Sequence, residues 1–205
     1  MLLNRRRSLA ALALPLAVSS LLLLLGCTAS PPAGVSATAG DGSALVQFST
    51  AHPAFDHEIR SMPGGHIVQT KDDRAWVNGL ENGTSYTFAV RSRGHDRLWS
   101  EWSAPSAPVV PTGPPAAPTI TRVAGFVDLG AGCTARVTFE PGSDGGRPIT
   151  EYEVAVSGGS SPVRGTTSPI EVPGLDPHTP YDFTIRAFND RGASATSATF
   201  TGSCS

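Results

Sequence analysis

The 205-residue chain is nearly balanced in charge, with 15 Lys and Arg against 17 Asp and Glu for a formal −2. That balance excludes the strongly basic surface a nucleic-acid partner requires. Its 18 prolines and 22 glycines suit many short strands and turns, in a chain long enough for more than one domain.

At the N-terminus, Arg5-Arg6-Arg7 precede an almost uncharged apolar stretch from Leu9 to Leu25, the charged and apolar regions of an export signal. Leu24-Leu25-Gly26-Cys27 resembles the lipobox of bacterial lipoproteins. The resemblance implies cleavage before Cys27, a diacylglyceryl group on its thiol, and an extracytoplasmic protein anchored by lipid to a bacterial membrane. Two acyl chains hold stably where one is marginal, and cleavage leaves no spanning helix. Arg6-Arg7-Ser8-Leu9-Ala10 loosely resembles a twin-arginine signal, so the general secretory and twin-arginine routes both stay open. Removing three arginines takes the charge from −2 to −5, and the mature chain is acidic. Residues 27–33, small, polar and proline-bearing, are expected to form a tether.

Beyond the tether the chain repeats itself. Leu80-Glu81-Asn82-Gly83-Thr84-Ser85-Tyr86-Thr87-Phe88-Ala89-Val90-Arg91 aligns with Leu175-Asp176-Pro177-His178-Thr179-Pro180-Tyr181-Asp182-Phe183-Thr184-Ile185-Arg186 at an offset of 95, about one sandwich domain. Each copy alternates Tyr, Phe and Val or Ile inward with Thr, Ala or Arg outward, the period of a half-buried strand. Ala44-Leu45-Val46-Gln47-Phe48 and Ala135-Arg136-Val137-Thr138-Phe139 form a second matching pair, and Trp76–Leu80 and Glu171–Leu175 a third.

These repeats resemble fibronectin type III domains, through the Leu-x5-Tyr unit and, in the second copy, through Arg147–Val154 as its third strand. The resemblance implies an all-β protein: two tandem immunoglobulin-like (fibronectin type III) β-sandwiches after a cleaved signal peptide, each with seven short antiparallel strands and a tyrosine corner. Phe48 and Phe139 stand where the family usually has tryptophan. The expected divisions are 1–26 signal, 27–33 tether, 34–110 first sandwich, 111–117 linker and 118–205 second sandwich. Pro111-Thr112-Gly113-Pro114-Pro115-Ala116-Ala117 is expected to act as a semi-rigid spacer that sets the domains end to end. In the topology so implied, Cys133 and Cys204 meet at one pole of the second sandwich and form a disulfide, while Cys27 carries lipid.

Trp99-Ser100-Glu101-Trp102-Ser103, with the strand before it, is similar to the Trp-Ser-x-Trp-Ser motif of class I cytokine receptor domains. In an extended helix of three residues per turn, Trp99 and Trp102 share one side, and outward Arg91 and Arg93 can slot between the indoles. Structural and binding roles both stay open for this ladder. Trp76, between inward Ala75 and Val77, is expected to face out as a candidate binding surface.

Catalytic signatures are missing: no nucleophile elbow, P-loop, HExxH or paired-Cys zinc motif occurs. On the third strand of the first copy, His57 should point away from Asp56 and Glu58, a solvated or core-edge cluster without catalytic geometry. Gly94-His95-Asp96, Asn82-Gly83-Thr84 and Asp144-Gly145-Gly146-Arg147 are expected turns. No catalytic residue, cofactor or metal is expected. The expected role is a membrane-anchored, surface-exposed, non-catalytic binding module for a protein or glycan. The alternative is a spacer beside enzymes of extracellular polysaccharide degradation.

Overall fold

The computed structural model describes residues 29–51, 56–94, 97–128, 132–158 and 161–203. The signal segment, Cys27, His95, Asp96 and Cys204 lie outside the described residues.

The first half folds as β1 (Ala33–Ala39), β2 (Ser43–Ser49), β3 (Asp56–Met62), β4 (Ile67–Thr70), β5 (Arg74–Asn78) and β6 (Thr87–Arg93). These pair antiparallel in two sheets, β1-β2-β5 and β4-β3-β6. Strand alternation decides what lies between them. Ala44, Val46 and Phe48 of β2 meet Val77 of β5, Ile59 of β3, and Phe88 and Val90 of β6 in one buried core.

The second half folds as β7 (Thr119–Asp128), β8 (Gly132–Glu140), β9 (Glu151–Val156), β10 (Val163–Gly165), β11 (Ile170–Leu175), β12 (Pro180–Asn189), β13 (Gly192–Ala193) and β14 (Phe200–Ser203). Its sheets are β11-β8-β7 and β10-β9-β12, with β13 and β14 both paired to β12. Val137, Phe139, Tyr152, Val154, Phe183 and Ile185 fill its core. Each half is thus a β-sandwich. The two Leu-x5-Tyr units close alike, the Tyr86 hydroxyl accepting from Glu81 N–H at 3.1 Å and the Tyr181 hydroxyl from Asp176 N–H at 3.0 Å. Phe48 packs edge-on to His57, and Phe139 packs tilted against Tyr152.

The last strand of each sandwich departs from the simple expectation. Among the described residues after β6, the chain bridges back only from Trp99 to Arg93 and from Val109 to Tyr86. Between these points serines recur every third residue. Ser100, Ser103 and Ser106 each donate backbone N–H to β6 carbonyls, and their hydroxyls accept from Ser92, Val90 and Phe88 N–H. Each hydroxyl also donates to the carbonyl of the following residue, at 2.8 Å. Ser194 and Ser197 repeat the device on Ala187 and Ile185 of β12. This three-residue period suits an extended left-handed segment rather than a pleated strand.

The linker also differs from a spacer: Pro111, Gly113 and Pro115 are buried, and the segment is bonded to both sandwiches. Gly83 N–H donates to Pro111 O and Thr112 N–H to Gly40 O on one side, while Gly113 and Ala116 N–H donate to Gly145 and Ser143 O on the other. Asn189 Nδ2 adds bonds to Gly113 O at 2.9 Å and Asp144 O at 2.8 Å. The turns at Gly83 and Gly146 touch, so closely that a Cβ on Gly146 would lie 2.6 Å from Gly83 N.

Candidate functional site

Three side chains from β3 and three from the β6 region build one face of the first sandwich. Asp56, Glu58 and Arg60 alternate outward on β3, opposite Arg93, Arg91 and Ala89 of β6. The serine contacts turn Trp99 and Trp102 onto this face, where a continuous stack forms. Arg60 lies over Trp102 at 4.3 Å, Arg91 between Trp102 and Trp99 at 4.7 and 4.8 Å, and Arg93 over Trp99 at 4.8 Å. Arg91, Arg93, Trp99 and Trp102 therefore stand together, and Arg60 lengthens the stack by a rung that the sequence reading missed. Its signal was present in the alternation Asp56-x-Glu58-x-Arg60.

Carboxylates hold the rungs in place. Glu58 Oε2 accepts Arg91 Nε at 2.8 Å and Nη2 at 2.5 Å, while its Oε1 accepts Gln69 Nε2 at 2.9 Å. Asp56 Oδ2 accepts Arg93 Nε at 3.0 Å. Arg60 Nε is buried and has no hydrogen-bond partner among the described residues, so indole stacking is its contact. Ala89, expected on the outer surface, is 3% exposed on this covered face.

The second sandwich keeps the clamp without the tryptophans. Glu153, at the offset of 95 from Glu58, accepts from both Arg186 and Arg164. The Arg186 hydrogen bond, with Arg164 beside it, holds the Glu153 carboxyl below its usual range despite burial. Where the first copy has Trp99 and Trp102, the residues before Ser194 and Ser197 are Ala193 and Thr196. In this copy the serines dock without indoles beside them.

Trp76 sits on the opposite sheet, 50% exposed, paired across β2 with Leu45. The corresponding cross-strand pair of the second sandwich is Glu171 and Arg136, joined by a 2.9 Å ion pair. One site is apolar and its twin is charged.

His57 points away from Asp56 and Glu58, as alternation expects, but lies deeper than the core edge: it is 4% exposed inside the sandwich, its Nδ1 2.7 Å from Ser92 Oγ, while the carboxylates serve the ladder outside. Burial lowers the His57 pKa from 6.5, against the opposing pull of Asp56 and Asp73. The folded protein thus resists a proton that the unfolded chain accepts near pH 6.5, so stability is present above that pH and is lost as pH falls towards the folded pKa. All three tryptophans lie in the first half. Urea midpoints followed by tryptophan emission should fall as pH drops below 6.5. His57→Gln should flatten that slope; an equal slope in the variant would assign the dependence elsewhere.

Asn82 and Gly145-Gly146 occupy turns. Asn82 is engaged there, its Oδ1 accepting from Gly42 N–H and its Nδ2 donating to Asp41. Cys133 is 1% exposed at the start of β8, and β14 ends at Ser203, one residue before Cys204. Among the described residues no group of three or more His, Cys, Asp or Glu side chains is placed to hold a metal ion. What the faces offer is stacking, ion pairing and apolar contact.

Residues 130–203 match the family model of the Fibronectin type III domain. The FN1–FN3 domains of chicken CNTN1, a solved crystal structure, are similar at a TM-score of 0.53 and 19% identity. The alignment covers 85% of this chain and 66% of that one, so the chain spans about two thirds of its length. The likeness speaks to fold alone. No curated protein matches significantly.

Proposed function

We propose that the chain is a non-catalytic interaction module, displayed outside a bacterial membrane on lipid at Cys27, with Trp76 as the centre of its binding surface. Modules of the matched family are generally non-catalytic, and the outer faces described above offer contact surfaces rather than reacting groups. The carrying observation is the difference between the copies at one structural position. Leu45 and Trp76 stand where the second sandwich has Arg136 and Glu171, although either pair satisfies the strand register. An exposed Trp76 beside a half-buried Leu45, where the twin pair is charged, fits a surface kept for a partner, a protein or a glycan.

Trp76→Ala in the full acylated chain should weaken binding to cell-surface protein or cell-wall polysaccharide fractions by about 30-fold, the size of a hot-spot loss. Unchanged binding would remove Trp76. Mass spectrometry of the same preparation tests two companion readings, the diacylglyceryl group on Cys27 and an oxidised Cys133–Cys204 pair. The second reading is a spacer beside polysaccharide-degrading enzymes, favoured by the hydrogen-bonded junction, which suits holding neighbours at fixed distance.

A further inference from the structure

The first residues of the described chain do not hang free. Pro32 is buried, β1 begins at Ala33, and Ala29, Ser30 and Pro31 line a cleft of about 370 Å³ together with Trp99, Ser100 and Glu101. Cys27 precedes Ala29 by two residues, a reach of at most about 7 Å of extended chain. A lipid on Cys27 therefore cannot sit far from the Trp99 end of the ladder. Beside that end stands Leu98, 59% exposed, the most exposed of the large apolar side chains among the described residues, with exposed Arg97 before it.

We propose that this pole, Leu98 with Arg97 and Trp99, docks on the lipid bilayer surface that anchors the chain. The proposal rests on the lipidated Cys27 reading and gives that reading an orientation. The pole also carries Lys71, Asp72 and Asp73, in the turn after Thr70, which pairs with His57 near the start of β3. Arg93 is paired with Asp56, and Glu101 lines the cleft. The charges nearly cancel, so contact comes from Leu98 and the indole, a leucine and an aromatic at interfacial depth, rather than from attraction to anionic headgroups. β1 then runs away from the membrane for seven residues, about 23 Å, to Gly40, whose carbonyl receives Thr112 of the linker. The second sandwich is carried outward.

The test uses the full acylated chain with Trp76→Phe, in vesicles of phosphatidylethanolamine and phosphatidylglycerol with or without lipids brominated on the acyl chain, a contact quencher. Tryptophan emission should be quenched by the brominated lipid, and equally in high salt. Leu98→Asp and, as a milder change at the same exposed position, Leu98→Ser should each reduce the quenching, the aspartate by about threefold or more. Acylated, vesicle-bound protein whose emission ignores the bromine overturns the docking and leaves lipidation standing. A mass lacking the diacylglyceryl group overturns the anchoring reading and this orientation with it.

Discussion

Gly145→Val should release the two sandwiches from one another. Gly145 is buried with φ +69°, and a Cβ there would press into the carbonyl oxygens of Gly113 and Pro114. The backbone conformation alone disfavours an L side chain by roughly 1–2 kcal/mol. The steric conflict is with linker backbone, which can move only by giving up the Gly113 bond to Gly145 and the Asn189 bond to Gly113, each worth about 1 kcal/mol. The combined loss is on the order of 3–4 kcal/mol, concentrated at the junction. Each sandwich keeps its own core, so the expected result is two folded bodies with a new freedom between them. Small-angle scattering should broaden the distance distribution, and NMR alignment should give separate tensors for the halves where the parent gives one. A single shared tensor in the variant would mean that the junction is held by something other than this backbone seam.

Trp102→Ala should be the most damaging change to the outer face. Its indole lies between Arg60 and Arg91, so two cation–π contacts of about 0.5–1 kcal/mol each disappear together with the apolar area the indole buries. The buried Arg60 Nε is left without its stacking partner, and the total should reach about 2–3 kcal/mol of the first sandwich's stability. Emission from Trp76 and Trp99 still reports unfolding in urea. The serine docking should survive, because Ser194 and Ser197 make the same bonds next to Ala193 and Thr196. Protected Val90 and Phe88 amides in hydrogen exchange would show that survival; rapid exchange there would mean that the indole holds the segment in place.

The sandwich was legible because its signals are local and periodic. The alternation around Phe88 and Phe183, and the Leu-x5-Tyr spacing, each mark a strand or corner within a dozen residues. The pairing of Arg91 and Arg93 with Trp99 and Trp102 followed from a period of three set against a period of two. Arg60, Glu58 and Asp56 were harder, because they join the ladder through strand pairing over 29 to 37 residues, and their register is not written near them. The inward turn of His57 was predictable from alternation, whereas its place between Phe48 and Ser92 depends on both sheets. The linker misled for a related reason. Proline content describes stiffness, but burial of Pro111 and Pro115 depends on which turns face them, and the turns at Gly83 and Gly146 belong to different sandwiches.

The serine segment has a further consequence for how the first sandwich meets another chain. An ordinary terminal strand shows a row of open amides and carbonyls, on which another chain can build a sheet. Here the inward bonds recur only at every third residue, and Pro105 and Pro108 have no amide hydrogen to offer. The outline left to a neighbour has the wrong repeat for a pleated strand. The first sandwich thus ends beside β6 in a margin that a pleated strand cannot extend, which closes that side of the β4-β3-β6 sheet to edge-to-edge growth.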